Sequence, residues 1–140
     1  MRTQLENICR RYQLDALYVF GSRAEQTARS VRTGAPFDGG GPSDLDIGVL
    51  PQARHRLDAW QRVTLTSELE EAFGGGTRVD LAVLPEASPY LALDIVKGEL
   101  LCVLDKDQEA EYELFVLRRA GDLAPFERER RRLVLEPPRA

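Results

Sequence analysis

Histidine is almost missing from this chain. The one histidine, His55, follows Pro51 in a polar stretch with no cysteine nearby, so neither a zinc cage nor a Ser–His–Asp triad can be built around it. It is expected to be exposed and idle. Cysteine is scarce too. Cys9 and Cys102 form no CxxC pair, Cys102 sits in an apolar run that reads as core, and a reducing, cytoplasmic setting is the simplest reading. No uninterrupted apolar run approaches bilayer-spanning length, and Arg2 is followed by polar residues, so neither a membrane span nor a secretory leader is expected. A basic excess is lacking as well: 19 Lys and Arg against 23 Asp and Glu leave a net charge of −4, which argues against direct nucleic-acid binding. Lysine occurs only at positions 97 and 106. What is present, 43% hydrophobic and 30% charged residues in 140, suits a single globular domain spanning 1–140.

The pattern along the chain alternates helix and strand. Leu5, Ile8, Cys9 and Tyr12 mark one helical face over 3–13. A strand is predicted over 14–20, then a short helix over 22–29 with Ser22 near its N-cap. The stretch 30–42 carries Gly34, Gly39, Gly40, Gly41, Pro36 and Pro42 and reads as a flexible Gly-rich insertion. Strands follow over 44–50, 78–84 and 99–104. Helices follow over 57–73, closed by Gly74, and over 88–97, closed by Gly98. A helix over 106–120 resumes past Pro125 to Leu135, and 136–140 is expected to be a frayed tail. Trp60 is read as helix-to-sheet packing. The fold class is α/β (α+β): a small mixed sheet of about four strands with helices packed against it.

Three places could carry chemistry. Asp44 and Asp46 alternate with Leu45 and Ile47, so a strand there puts both carboxylates on one face. Like charges side by side repel, and strands avoid Asp. An oxygen-preferring divalent cation, Mg²⁺ or Mn²⁺, would offset the cost; a solvated turn at Ser43-Asp44 is the other reading. Asp80 interrupts the apolar strand Val79-Leu81-Val83, where an unpaired carboxylate is costly to bury, although Arg78 could partner it. Gly21-Ser22-Arg23 sits at a strand-to-helix turn, where glycine permits close approach and a helix start presents free N–H groups to phosphate. An ordinary helix cap would look the same.

Tyr18-Val19-Phe20-Gly21-Ser22-Arg23-Ala24, Ser43-Asp44-Leu45-Asp46-Ile47-Gly48-Val49 and Val79-Asp80-Leu81-Ala82-Val83, in that order, resemble the minimal nucleotidyltransferase (MNT) family of the DNA polymerase β-like nucleotidyltransferase superfamily. The spacing departs from the family at one place: the insertion 30–42 lengthens the path from Arg23 to Ser43, and it would lie beside the nucleotide. Gln26 also stands where family members often have Gly.

The resemblance implies a polymerase β palm-like fold and transfer of AMP from ATP to a hydroxyl. It implies that Asp44, Asp46 and Asp80 are catalytic and hold two Mg²⁺ (or Mn²⁺), and that Gly21, Ser22 and Arg23 bind nucleotide. For Arg23 a surface role stays open. MNT proteins are often the antitoxin of a pair whose toxin is a HEPN-domain RNase, silenced by AMP on a tyrosine, so a HEPN-domain toxin is the implied partner and acceptor. A small-molecule nucleotidyltransferase of the aminoglycoside type and a non-catalytic toxin-binding module remain as alternatives. A C-terminal stripe of Tyr112, Phe115, Val116, Leu123 and Phe126, with arginines at 128 and 130–132 beyond it, could be core or a partner surface. Self-association stays open.

Overall fold

A computed structural model describes residues 1–37 and 43–135, with side chains described as far as Gly121. Ten elements follow one another among the described residues: α1 (Arg2–Arg11), β1 (Leu14–Phe20), α2 (Ala24–Thr33), β2 (Leu45–Pro51), α3 (Ala59–Phe73), β3 (Val79–Val83), a 3₁₀ turn (Leu84–Glu86), α4 (Pro89–Val96), β4 (Glu99–Val103) and α5 (Lys106–Leu135). The strands form one mixed sheet in the order β3-β2-β1-β4. β1 pairs antiparallel with both β2 and β4, and β2 pairs parallel with β3.

Alternation along the strands splits the core in two. Leu17, Val19, Leu45, Ile47 and Val49 point to one face and pack with α1, α2 and α3. Ala16, Tyr18 and Leu50 point to the other and pack with α4 and Val116 of α5. Burying both faces explains why β1 is almost wholly buried. Cys9 and Cys102 are both buried and unbridged, the core role expected of Cys102.

Several boundaries differ from the sequence pattern. The insertion assigned to 30–42 begins too early: Ser30–Thr33 continue α2, because Ala24, Ala28 and Val31 bury one face. The helix stops only at Gly34, which is left-handed (φ +74°) and donates its N–H to the Ser30 carbonyl. Residues 38–42, where the Gly39–Gly41 run falls, lie outside the described residues. So do the expected tail 136–140 and the side chains of Leu123, Phe126, Arg128 and Arg130–Arg132. Helix α5 runs unbroken through Pro125. Trp60 is not packing; it is 73% exposed, because α3 buries Leu65, Leu69 and Phe73 and Trp60 lies off that stripe. His55 is only partly exposed, and its Nε2 is buried with no hydrogen-bond partner.

Candidate active site

The parallel pairing of β2 with β3 sets the geometry. Leu45 donates its N–H to the Arg78 carbonyl at 2.8 Å, which fixes the register as Leu45 to Val79, Asp46 to Asp80 and Ile47 to Leu81. Asp46 and Asp80 are therefore direct neighbours on one face of the sheet. Two residues before Asp46, Asp44 is exposed just ahead of the strand. Asp46 is half-buried, and Phe20, the last residue of β1, is its partner on the other side.

Gly21 closes over this pair. Its φ is +80°, and a Cβ there would stand 2.6 Å from Oδ2 of Asp46. Only glycine lets the β1–α2 turn rest on the carboxylate. Ser22 is exposed and is not the N-cap: α2 begins after Arg23, which occupies that position without a side-chain cap bond. The Ala24 N–H donates to the Gly21 carbonyl at 3.2 Å, and no side-chain cap takes the next N–H groups of α2, which suits them to a ligand.

Arg23 does something other than line this space. Its guanidinium donates to the Ser43 carbonyl at 3.0 Å and lies 5.4 Å from the centre of the Phe37 ring. It ties the Gly21 turn to the residue preceding Asp44.

Burial, then repulsion by Asp80 and by Asp44, raises the Asp46 carboxyl above the usual carboxylate range. Asp46 feels both acidic neighbours, yet among the described residues no group of three or more His, Cys, Asp or Glu closes into a cage able to hold a metal. Mg²⁺ does not need one. It commonly takes one or two protein carboxylates and completes its shell with water and substrate phosphates. Hard carboxylate oxygens under mutual repulsion fit that donor chemistry, with Asp46 and Asp80 as the paired core of the set.

Two cavities meet at Asp46. The smaller, about 580 Å³, is lined by Gly21, Ser22, Asp46, Asp94 and Lys97 among others. The larger, about 870 Å³, runs along β3 between α3 and the 3₁₀ turn, and Asp80, Val63, Leu81, Val83 and Leu91 are among its lining. Arg62 and Glu86 pair at 2.6 Å in this larger cleft, and that guanidinium holds the Glu86 carboxyl below its ordinary range. On α3, Val63 lines this cleft and is 62% exposed, and Trp60, one turn before it and outside the lining, is 73% exposed. Sequence reasoning missed Lys97 and the α3 rim. Lysine's scarcity and its place just before Gly98 were the available hints for the first.

A family model described as Polymerase beta, Nucleotidyltransferase matches residues 3–109. No curated protein matches the chain. Among solved structures, a chain of a toxin–antitoxin MntA-HpeT mutant is similar at 22% identity, with 97% of this chain and 99% of that one covered and a TM-score of 0.70. A chain of a toxin–antitoxin with AMP-PNP is 23% identical over 96% of this chain and 98% of its own, with a TM-score of 0.69. A chain from a tri-AMPylated Shewanella oneidensis HEPN toxin in complex with MNT antitoxin is 22% identical over 96% of each chain, with a TM-score of 0.65.

Proposed function

The chain belongs to the polymerase beta nucleotidyltransferase family, and from that premise we propose that it moves AMP from ATP to a hydroxyl, the acceptor being a tyrosine of a HEPN-family RNase toxin. The reading rests chiefly on one observation: Asp46 and Asp80 are register partners beneath the Gly21 turn, and a separate cavity opens on each side of Asp46. Two cavities suit two substrates. The likeness to chains from a toxin–antitoxin with AMP-PNP and from a complex with a tri-AMPylated HEPN toxin supports both the donor and the acceptor.

In this reading the triphosphate enters on the side of Gly21 and Ser22, against the N-terminus of α2. The acceptor enters along β3, past the exposed Trp60 and Val63 rim, and reaches Asp80. Two Mg²⁺, held by Asp44, Asp46 and Asp80 with the substrate phosphates, would supply charge neutralisation at the phosphates and acidify the acceptor hydroxyl. Asp80 accepts the hydroxyl proton. The acceptor oxygen forms its bond to the α-phosphorus, the bond from that phosphorus to the bridging oxygen breaks, and pyrophosphate leaves. Gly21, lacking a Cβ, lets the turn close on Asp46 without displacing its carboxylate. ATP as donor implies the cytoplasm as the setting. Among the described residues no helix is long and apolar enough to cross a membrane.

Incubation with ATP, Mg²⁺ and a HEPN-family RNase toxin tests this. One or more AMP additions on the toxin, lost in Asp44→Ala and Asp46→Asn, are expected by mass spectrometry. An unmodified toxin, or modification that persists in both variants, would sink the proposal.

A further inference from the structure

We infer that Lys97 binds the β- and γ-phosphates of the nucleotide, a step that rests on the nucleotidyl-transfer reading above. The smaller cavity poses an electrostatic problem. Its charged lining residues are Glu25, Asp46, Asp94, Glu99 and a single cation, Lys97. Glu99 and Glu25 are already paired from outside the cavity, by Arg32 at 2.9 Å and by Arg29 at 3.6 Å, which leaves Asp46 and Asp94. A triphosphate entering beside the remaining carboxylates meets repulsion that the partial charge of the α2 N-terminus offsets only in part. Lys97 is the one side-chain cation that this lining offers to the phosphates, beside the charge that Mg²⁺ would bring.

Three features make this lysine suited to the task. It is exposed, and it forms no ion pair among the described residues, so its ammonium is not committed elsewhere. Its backbone is fixed: the Lys97 N–H donates to the Leu93 carbonyl at 3.0 Å as α4 ends. The next residue locks that end against the sheet, since a Cβ on Gly98 would stand 2.4 Å from the Val19 carbonyl oxygen. The flexible stem thus starts from a rigid base on the cavity that Ser22 also lines. A compact, rotatable ammonium is suited to phosphates whose charge grows as pyrophosphate departs.

Calorimetric titration of wild type, Lys97→Met and Lys97→Arg with ATP, AMP and pyrophosphate in Mg²⁺ separates the roles. Lys97→Met is expected to weaken ATP and pyrophosphate by about tenfold or more, the scale of one charge-assisted contact. AMP, which lacks those phosphates, is expected to bind within about twofold of wild type on the same reasoning. Lys97→Arg restores most of the ATP affinity, and all three proteins melt alike without nucleotide. Unchanged ATP binding in Lys97→Met overturns the assignment, as does an equal loss of ATP and AMP. Failure of the wild type to bind ATP overturns the nucleotide reading itself, and this one with it.

Discussion

Replacing Gly21 with alanine probes the contact on which the site depends. Two penalties act at once. The backbone stands at φ +80°, where an L-residue costs about 1–2 kcal/mol. At roughly 2–4 °C per kcal/mol for a chain near this size, that lowers Tm by roughly 2–8 °C. The second penalty is local. The new Cβ would stand 2.6 Å from Oδ2 of Asp46, whereas ordinary contact begins at 3.4 Å. The carboxylate must therefore retreat by nearly 1 Å, a displacement that costs on the order of 100-fold in rate when it misplaces a reacting group. Gly34→Ala isolates the first penalty: its φ is +74°, with nothing within 4 Å of a built Cβ. Both variants should melt several degrees low, and only Gly21→Ala should lose AMP transfer. Thermal melts paired with a transfer assay at saturating ATP read the two effects. If Gly21→Ala transfers like wild type, or Gly34→Ala loses as much activity, the role given to this contact is wrong.

Other substitutions separate stability from function. Because burial and its two acidic neighbours raise the Asp46 carboxyl, the folded chain holds that proton more tightly than the unfolded one. Its contribution is present at low pH and is lost as pH rises through and above the ordinary carboxylate range. Asp46→Asn should therefore raise Tm near neutral pH while abolishing transfer; a lower Tm in melting scans would contradict this. Tyr18, 1% exposed, donates its hydroxyl to Glu109 at 2.5 Å. Tyr18→Phe leaves that carboxylate without its partner and should cost about 1–3 kcal/mol in denaturant unfolding, with transfer unchanged because Tyr18 lines neither of the cavities at Asp46. Trp60→Ala should leave Tm unchanged, since the ring is 73% exposed. It should weaken transfer to a protein acceptor without altering ATP affinity, which paired kinetics and titration would measure.

The strands were legible because their alternation is local. Leu45 and Ile47 between the aspartates, and Val79, Leu81 and Val83 around Asp80, already declare which face is polar. The neighbour relation of Asp46 and Asp80 was not legible, because strand order is decided by packing across the sheet and no short window encodes it. Two errors have plain physical causes. The glycine-rich run drew the loop boundary back to Ser30, although Ala24, Ala28 and Val31 continue a helical stripe to the true stop at Gly34. Trp60 was assigned to packing by residue type, although it lies five positions before Leu65, about 140° round the helix from the buried stripe. Lys97 carried only the slight marks of lysine's scarcity and its place before Gly98, since the cavity it lines is formed by β1, α2, β2, α4 and β4 together.

The parallel β2–β3 pair has a consequence for how the molecule assembles. Joining these strands requires the whole of residues 52–78 to be laid across the sheet before Asp46 meets Asp80, and such non-local closure comes at an entropic cost that local turns do not carry. β3 is an edge strand held by a single neighbour, whereas β1 is held on both sides. Amide exchange should accordingly be faster in β3 than in β1. Opening of that edge alone would separate the carboxylates while most of the core stayed folded, so catalytic competence reports the integrity of an edge strand.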